Sequence, residues 1–173
     1  QGSLVKNLRC YRSRSAAIDI LSHNMEISKV KIDSIAPTTS TTQELPGGVC
    51  ISAHGDNIRI KDTIVRRCQL IGIFADGVDT DLNGVAVTID GNTSTSRVES
   101  SNGIVVVLQN GPHLLKDTAV YGDGPGEGTS TNGVVVDTGS ANKLDGVKVK
   151  NFNQNGIVIN ASGTTVSRSG VES

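Results

Sequence analysis

One short pattern recurs six times along this chain and limits what it can fold into. A glycine or alanine leads three residues, of which the first and third are aliphatic or small. The copies are Ala17-Ile18-Asp19-Ile20, Gly48-Val49-Cys50-Ile51, Gly72-Ile73-Phe74-Ala75, Gly103-Ile104-Val105-Val106, Gly133-Val134-Val135-Val136 and Gly156-Ile157-Val158-Ile159. Their first aliphatic residues follow one another at steps of 23 to 31 residues. A strand-like unit at such a period is the mark of a solenoid. A second alternation precedes several copies: Val30-Lys31-Ile32, Ile58-Arg59-Ile60, Val85-Ala86-Val87 and Val147-Lys148-Val149. Period-two spacing sends one side chain inward and the next outward.

Strands joined at this period by Gly, Asn and Asp turns do not read as successive hairpins, because hairpin strands reverse direction at every turn. Copies stacked in parallel, about 4.8 Å apart, instead bury their Val and Ile on the copy above and below. Composition agrees. Aromatic residues are 2% of the chain, Trp is absent and Gly numbers 20. A narrow interior filled by small β-branched side chains needs few rings. No window holds a sustained 3.6-residue apolar period, so no helix longer than two turns is expected. The expected fold is all-β: a right-handed parallel β-helix of about six coils, its hand taken from the general preference of parallel crossovers.

Residues 1–3, Gln-Gly-Ser, resemble the scar of a protease-cleavable tag, which leaves 4–173 as a single domain. Val5 and Leu8 begin inside a coil, and Ser167–Ser173 reads as the start of another. The chain is therefore expected to be a piece of a longer protein with unfinished ends, or to have a partner that covers an end. A net charge of −1 points to neither nucleic acid nor an anionic membrane as partner. Cys10, Cys50 and Cys68 form an odd set without metal-ligand spacing and read as free thiols rather than a disulfide or metal site.

The Asn-Gly openings Asn102-Gly103-Ile104, Asn132-Gly133-Val134 and Asn155-Gly156-Ile157, each after an apolar-x-apolar stretch and a polar turn, resemble the parallel β-helix repeat superfamily. It includes pectate-lyase-like enzymes, alginate epimerases and bacteriophage tailspikes. The resemblance covers roughly residues 4–166 and concerns fold, since the superfamily hosts lyases, hydrolases, epimerases and inert stalks. Glycines at such corners are expected to hold positive φ, with Asn side chains stacking along the axis. Three long polar connections, Pro37–Gly47, Asp90–Ser96 and Gly122–Thr131, all precede a Gly-led strand; in this superfamily such loops often wall a sugar-binding groove.

Three sets of residues are candidates for function. Asp76, Asp79 and Asp81 form an acidic turn, and His54 and Asp56 follow the strand one coil earlier. Stacking would bring His54 to Asp76. That would give a base beside carboxylates, the groups that polysaccharide lyases, epimerases and hydrolases require. By resemblance to pectate lyases the cluster would also suit calcium; no other cofactor or metal is expected. Lys31, Arg59, Lys61, Lys148 and Lys150 take outward places on first strands. They suggest a basic stripe facing an acidic glycan, with a solvated face as the plainer alternative. Counting from each leading glycine or alanine, Asp19, Cys50, Phe74, Val105, Val135 and Val158 would point outward, the last five as an apolar run. An aliphatic column of that kind usually marks a contact surface. Two functions fit these features. One is the β-helix module of a phage tailspike or similar surface fibre, structural and polysaccharide- or receptor-binding. It would be extracellular or on the virion surface and homotrimeric in its parent. The other is a fragment of a lyase, hydrolase or epimerase acting on acidic polysaccharide.

Overall fold

The computed structural model describes residues 2–11, 16–35, 48–68, 71–77, 80–83, 86–88, 104–122, 132–152 and 154–172. Among these residues there is no helix, and the strands come in rounds of three. The first round is β1 (Ser3–Lys6), β2 (Arg9–Tyr11) and β3 (Ala16–Ile20); the second is β4 (Met25–Ser28), β5 (Lys31–Ile35) and β6 (Val49–Ala53). Then follow β7 (Arg59–Lys61), β8 (Ile64–Cys68) and β9 (Ile71–Ala75), and β10 (Thr80–Asn83), β11 (Ala86–Thr88) and β12 (Ile104–Leu108). The fifth round is β13 (His113–Lys116), β14 (Ala119–Tyr121) and β15 (Asn132–Val136), and the sixth is β16 (Lys143–Asp145), β17 (Lys148–Lys150) and β18 (Asn155–Ile159). Two strands of a seventh, β19 (Thr165–Ser167) and β20 (Gly170–Glu172), follow.

The first members of each round form one seven-stranded sheet, the second members another, and the third members a six-stranded sheet. Neighbouring strands within each sheet are parallel, as in β4 with β7, β14 with β17 and β6 with β9. The chain is thus all-β, built of three parallel sheets visited in rotation.

In-register stacking makes columns. On the first sheet one register column runs Val5, Ile27, Ile60, Leu82, Leu115, Leu144, Val166, and Ile27, Ile60, Leu115 and Leu144 in it are buried. On the second, one runs Cys10, Ile32, Val65, Val87, Val120, Val149, Val171, and Ile32, Val65, Val120 and Val149 in it are buried. One buried cluster takes members from all three sheets, among them Ile60, Val65 and Ile73. Each fully buried aliphatic side chain contributes about 1.5–3 kcal/mol of transfer free energy. In a three-residue strand such as β7 or β16 the central residue alone is buried, so the column rests on one position per strand.

The first and second sheets are joined by two-residue turns. The leading residue is left-handed: Asn7 (φ 59°), Lys29 (φ 55°), Asp62 (φ 48°), Asp117 (φ 46°), Gly146 (φ 70°) and Arg168 (φ 49°). The next residue points into the core, as Val30, Thr63, Thr118 and Val147 do. Its carbonyl accepts from the round that follows, Ile64 N to Val30 O at 2.9 Å and Lys148 N to Thr118 O at 2.9 Å, so the backbone ladder runs through the turn.

These turns correct the sequence reading of two strands per repeat. Val30-Lys31-Ile32 and Val147-Lys148-Val149 join the inward turn residue to the second sheet, whereas Arg59 and Ile60 belong to the first. Both corners yield apolar-x-apolar, so the two sheets look alike in sequence. Gly133 and Gly156 are corrected too. They lie inside β15 and β18, and neither has a left-handed φ. Space is the reason for them: a Cβ on Gly133 would stand 2.4 Å from Val149 Cγ1 and 2.5 Å from Gly156 O. Gly103 lies outside the described residues, as do Pro37–Gly47, Asp90–Ser96 and all but Gly122 of Gly122–Thr131. In sequence all three long connections fall between the second and third strand of their rounds.

Candidate functional site

The outer face of the third sheet brings Ser52, His54, Asp19 and Asp76 together. Register sets Asp19, Ser52 and Phe74 side by side on β3, β6 and β9. Ser52 and His54 are two residues apart on β6 and its extension, so their side chains share a face. The residue after β9, Asp76, continues the stacking, since its N–H donates to Ala53 O at 3.0 Å.

The result is a chain of contacts. His54 Nδ1 lies 3.0 Å from Asp76 Oδ1, and His54 Nε2 lies 2.6 Å from Ser52 Oγ. Asp19 Oδ1 stands 3.7 Å from His54 Nε2. An ionised carboxylate only accepts hydrogen bonds, so in the tautomer with the proton on Nδ1 the ring donates to Asp76 and Nε2 accepts from the Ser52 hydroxyl. The Phe74 ring lies against the imidazole, centroids 5.7 Å apart. Ser52 is fully buried, while the His54 and Asp76 side chains are 22% and 28% exposed.

The His54–Asp76 stacking expected from the sequence is therefore present. Asp79 lies outside the described residues. Asp81 stands in β10 on the first sheet, opposite Arg59 and Leu114, on a different sheet from the Ser52 column. Among the described residues no group of three or more His, Cys, Asp and Glu side chains converges as a metal would require. Asp56 turns to His23, its carboxylate 3.2 Å from the ring nitrogen. Sequence reasoning placed Asp19 outward without joining it to His54, and it missed Ser52. Ser52-Ala53-His54 was legible as a same-face pair; Asp19 needed the register.

Below His54 the same position holds Asp76, Gln109, Asp137 and Asn160. Gln109 Nε2 donates to Asp137 Oδ2 at 2.8 Å, and Asn160 Nδ2 donates to Asp137 Oδ1 at 3.3 Å. Asn ladders of the expected kind occur elsewhere, Asn155 to Asn132 at 3.0 Å and Asn57 to Asn24 at 2.7 Å.

The basic stripe divides. Lys31, Lys148 and Lys150 lie on the second sheet, Arg59 and Lys61 on the first. Lys61 Nζ is 3.3 Å from Glu26 Oε2, and Lys150 Nζ is 2.5 Å from Glu172 Oε2. The Glu172 carboxylate raises the pKa of Lys150 above the usual lysine value.

The outward column is corrected at two positions. Gly48, with φ 98°, precedes β6, whereas Gly72 lies within β9. Counting from them as equivalent shifts the register by two. Ile51 and Val106 are the partners of Ile73, so Cys50 and Val105 stand opposite Gly72. Both are fully buried in the main core cluster beside Ile51 and Val106, because alternation breaks there and two consecutive residues face inward. Cys50 is bonded to Cys68, joining β6 to β8; Cys10 remains free, its thiol pKa raised by burial. The outward neighbours of Phe74 are Ser52 and Val107, followed by Val135 and Val158. Val107, at 6% exposure, packs with Val49, Ile71 and Phe74 in a second, smaller cluster.

Comparison with protein-family models, with curated proteins and with solved structures finds no match to this chain.

Proposed function

We propose that the chain is a right-handed parallel β-helix module of a surface fibre of the tailspike kind, binding acidic polysaccharide on the outer face of its second sheet. Rotation among three parallel sheets around one shared core supports the fold reading. The observation that carries the binding reading is the outward column of the second sheet. Tyr11, Asp33 and Arg66 are adjacent there, and Tyr121, Lys150 and Glu172 stand in one register further along. A recess of about 170 Å³ opens beside it, lined by Tyr11, Lys31, Asp33, Ile64 and Arg66. Tyrosine rings offer an apolar face with a polar tip, suited to stacking on sugar rings. Arginine offers a planar fork for a carboxylate. The Cys50–Cys68 disulfide supports an extracellular or virion-surface location, because disulfides persist in oxidising compartments. Phe74, Val107, Val135 and Val158 would face neighbouring copies in a homotrimer.

The test is binding to immobilised acidic and neutral polysaccharides. Uronate polymers are expected to be retained, and Arg66→Ala with Tyr11→Ala to weaken retention at least tenfold. Equal retention of neutral dextran, or none of uronates, would overturn the reading.

The contact of His54 with Asp76 favours a second reading, a lyase, hydrolase or epimerase acting on acidic polysaccharide. Release of unsaturated uronate or new reducing ends, abolished in Asp76→Asn, would establish it.

A further inference from the structure

We infer that Ser52, His54 and Asp76 form a nucleophilic relay that hydrolyses short-chain carboxylic esters, an activity apart from any cleavage of a glycosidic bond. It uses the His54–Asp76 pair of the second reading above, but for a different reaction. Failure of glycan cleavage therefore leaves it standing.

The order of atoms carries the inference. Ser52 Oγ meets Nε2 at 2.6 Å, and the opposite ring nitrogen meets Asp76 Oδ1 at 3.0 Å. A nucleophile on one nitrogen, with an orienting carboxylate on the other, is the arrangement that activates a serine hydroxyl. Two other buried hydroxyls among the described residues are used differently. Thr63 and Thr118 each donate to a backbone carbonyl two residues earlier, at 2.9 Å, a bond that repeats at equivalent turns. Ser52 instead bonds to an ionisable ring whose far side is anchored. Its column neighbours are an acid, Asp19, and an aromatic ring, Phe74.

In the first step Ser52 Oγ attacks the ester carbonyl carbon and its proton passes to His54 Nε2. The carbon–oxygen ester bond then breaks, and Nε2 returns the proton to the departing alcohol. Water repeats the sequence on the acyl-serine: its proton goes to Nε2, the acid leaves and Ser52 regains its hydrogen. Asp76 keeps the ring in the required tautomer. The Asp19 carboxylate, 3.7 Å from Nε2, stabilises the imidazolium formed on the way. The hydroxyl is covered while the imidazole side chain is 22% exposed. The substrate inferred for so covered a hydroxyl is therefore a small ester, of acetyl size, and O-acetylated sugars present such groups.

The intact chain would be treated with methanesulfonyl fluoride, a small serine-directed reagent, and followed by intact mass and peptide mapping. p-Nitrophenyl acetate turnover would be measured alongside. One sulfonyl group per chain is expected on Ser52, lost in Ser52→Ala and slowed at least tenfold in Asp76→Asn. Release of p-nitrophenolate is expected at least a hundredfold faster than in Ser52→Ala. Unmodified Ser52 in the folded wild-type chain, with release no faster than in Ser52→Ala, would overturn the inference. So would modification that appears only after denaturation. Because the decisive reagent acts on the wild-type chain, a variant that fails to fold leaves the test intact.

Discussion

Asp145 illustrates what one side chain gains from a neighbour one round away. Arg168 Nε and Nη2 donate to its two carboxylate oxygens, each at 2.7 Å, and Ser167 Oγ donates at 2.9 Å. The Arg168 guanidinium, then the Ser167 hydroxyl, lowers its pKa from 3.8 to about 2. A carboxylate with a depressed folded pKa contributes stability above its unfolded value and loses it as pH falls through the folded value. Melting temperatures of the wild type and Asp145→Asn should therefore differ above pH 3.8 and converge as pH falls toward about 2. A gap that persists below that range would assign the effect to packing. Arg168 makes this pair from a left-handed backbone, φ 49°. Left-handed conformations cost a side-chain-bearing residue roughly 1–2 kcal/mol, and Asn and Asp tolerate them best. Asn7, Asp62 and Asp117 fit that preference, but Lys29 and Arg168 do not. Their presence is one reason the two-residue turn could not be read from residue types.

Among the elements, β6 ties the sheets together most directly. Cys50 on β6 is bonded to Cys68 on β8, 18 residues along the chain, so the third sheet is covalently joined to the second. Closing a loop of this size stabilises by about 3 kcal/mol in the chain-entropy account. Unfolding without reductant should expose one reactive thiol, Cys10, and unfolding with reductant three. The reduced chain should unfold at lower urea. Three reactive thiols before reduction would contradict the assignment. The sequence hid this bond because alternation from Gly48 sends Cys50 outward, whereas in register it stands opposite Gly72, at the inward break. The same slip misplaced Val105. Period and strand type were legible because every round repeats them: Ile27, Ile60 and Leu115 recur at equivalent inward places. Register within a strand was not. A two-residue shift preserves alternation, and only hydrogen-bond pairing across rounds tells Ile51 from Val49 as the partner of Ile73. The His54–Asp76 contact survived because both residues sit one step beyond Ala53 and Ala75, which pair directly.

At the scale of the molecule, the large apolar side chains most open to solvent among the described residues lie at the two ends of the stack. Leu4, Tyr11 and Leu21 belong to the first round and its exit; Ile159, Val166 and Val171 belong to the last strands. Middle rounds have neighbours on both sides, as nearest-neighbour coupling in stacked repeats requires. The corner between the second and third sheets has a separate consequence. It spans as little as residues 69–70, between β8 and β9, and as much as residues 89–103, between β11 and β12. The corner between the first and second sheets stays at two residues, as at Lys29-Val30 and Asp62-Thr63. An editor of this text therefore has one margin in which to write freely. Ten residues of Gly and Ser inserted between Gln69 and Leu70 should lower the melting temperature by only a few degrees, since loop-closure entropy grows slowly with length. Deleting the single residue Thr63 should be far worse, because the turn can no longer return the chain to its column and every later side chain is misaddressed. A deletion tolerated as well as the insertion would mean that the rounds are read independently, each finding its own place without a shared count.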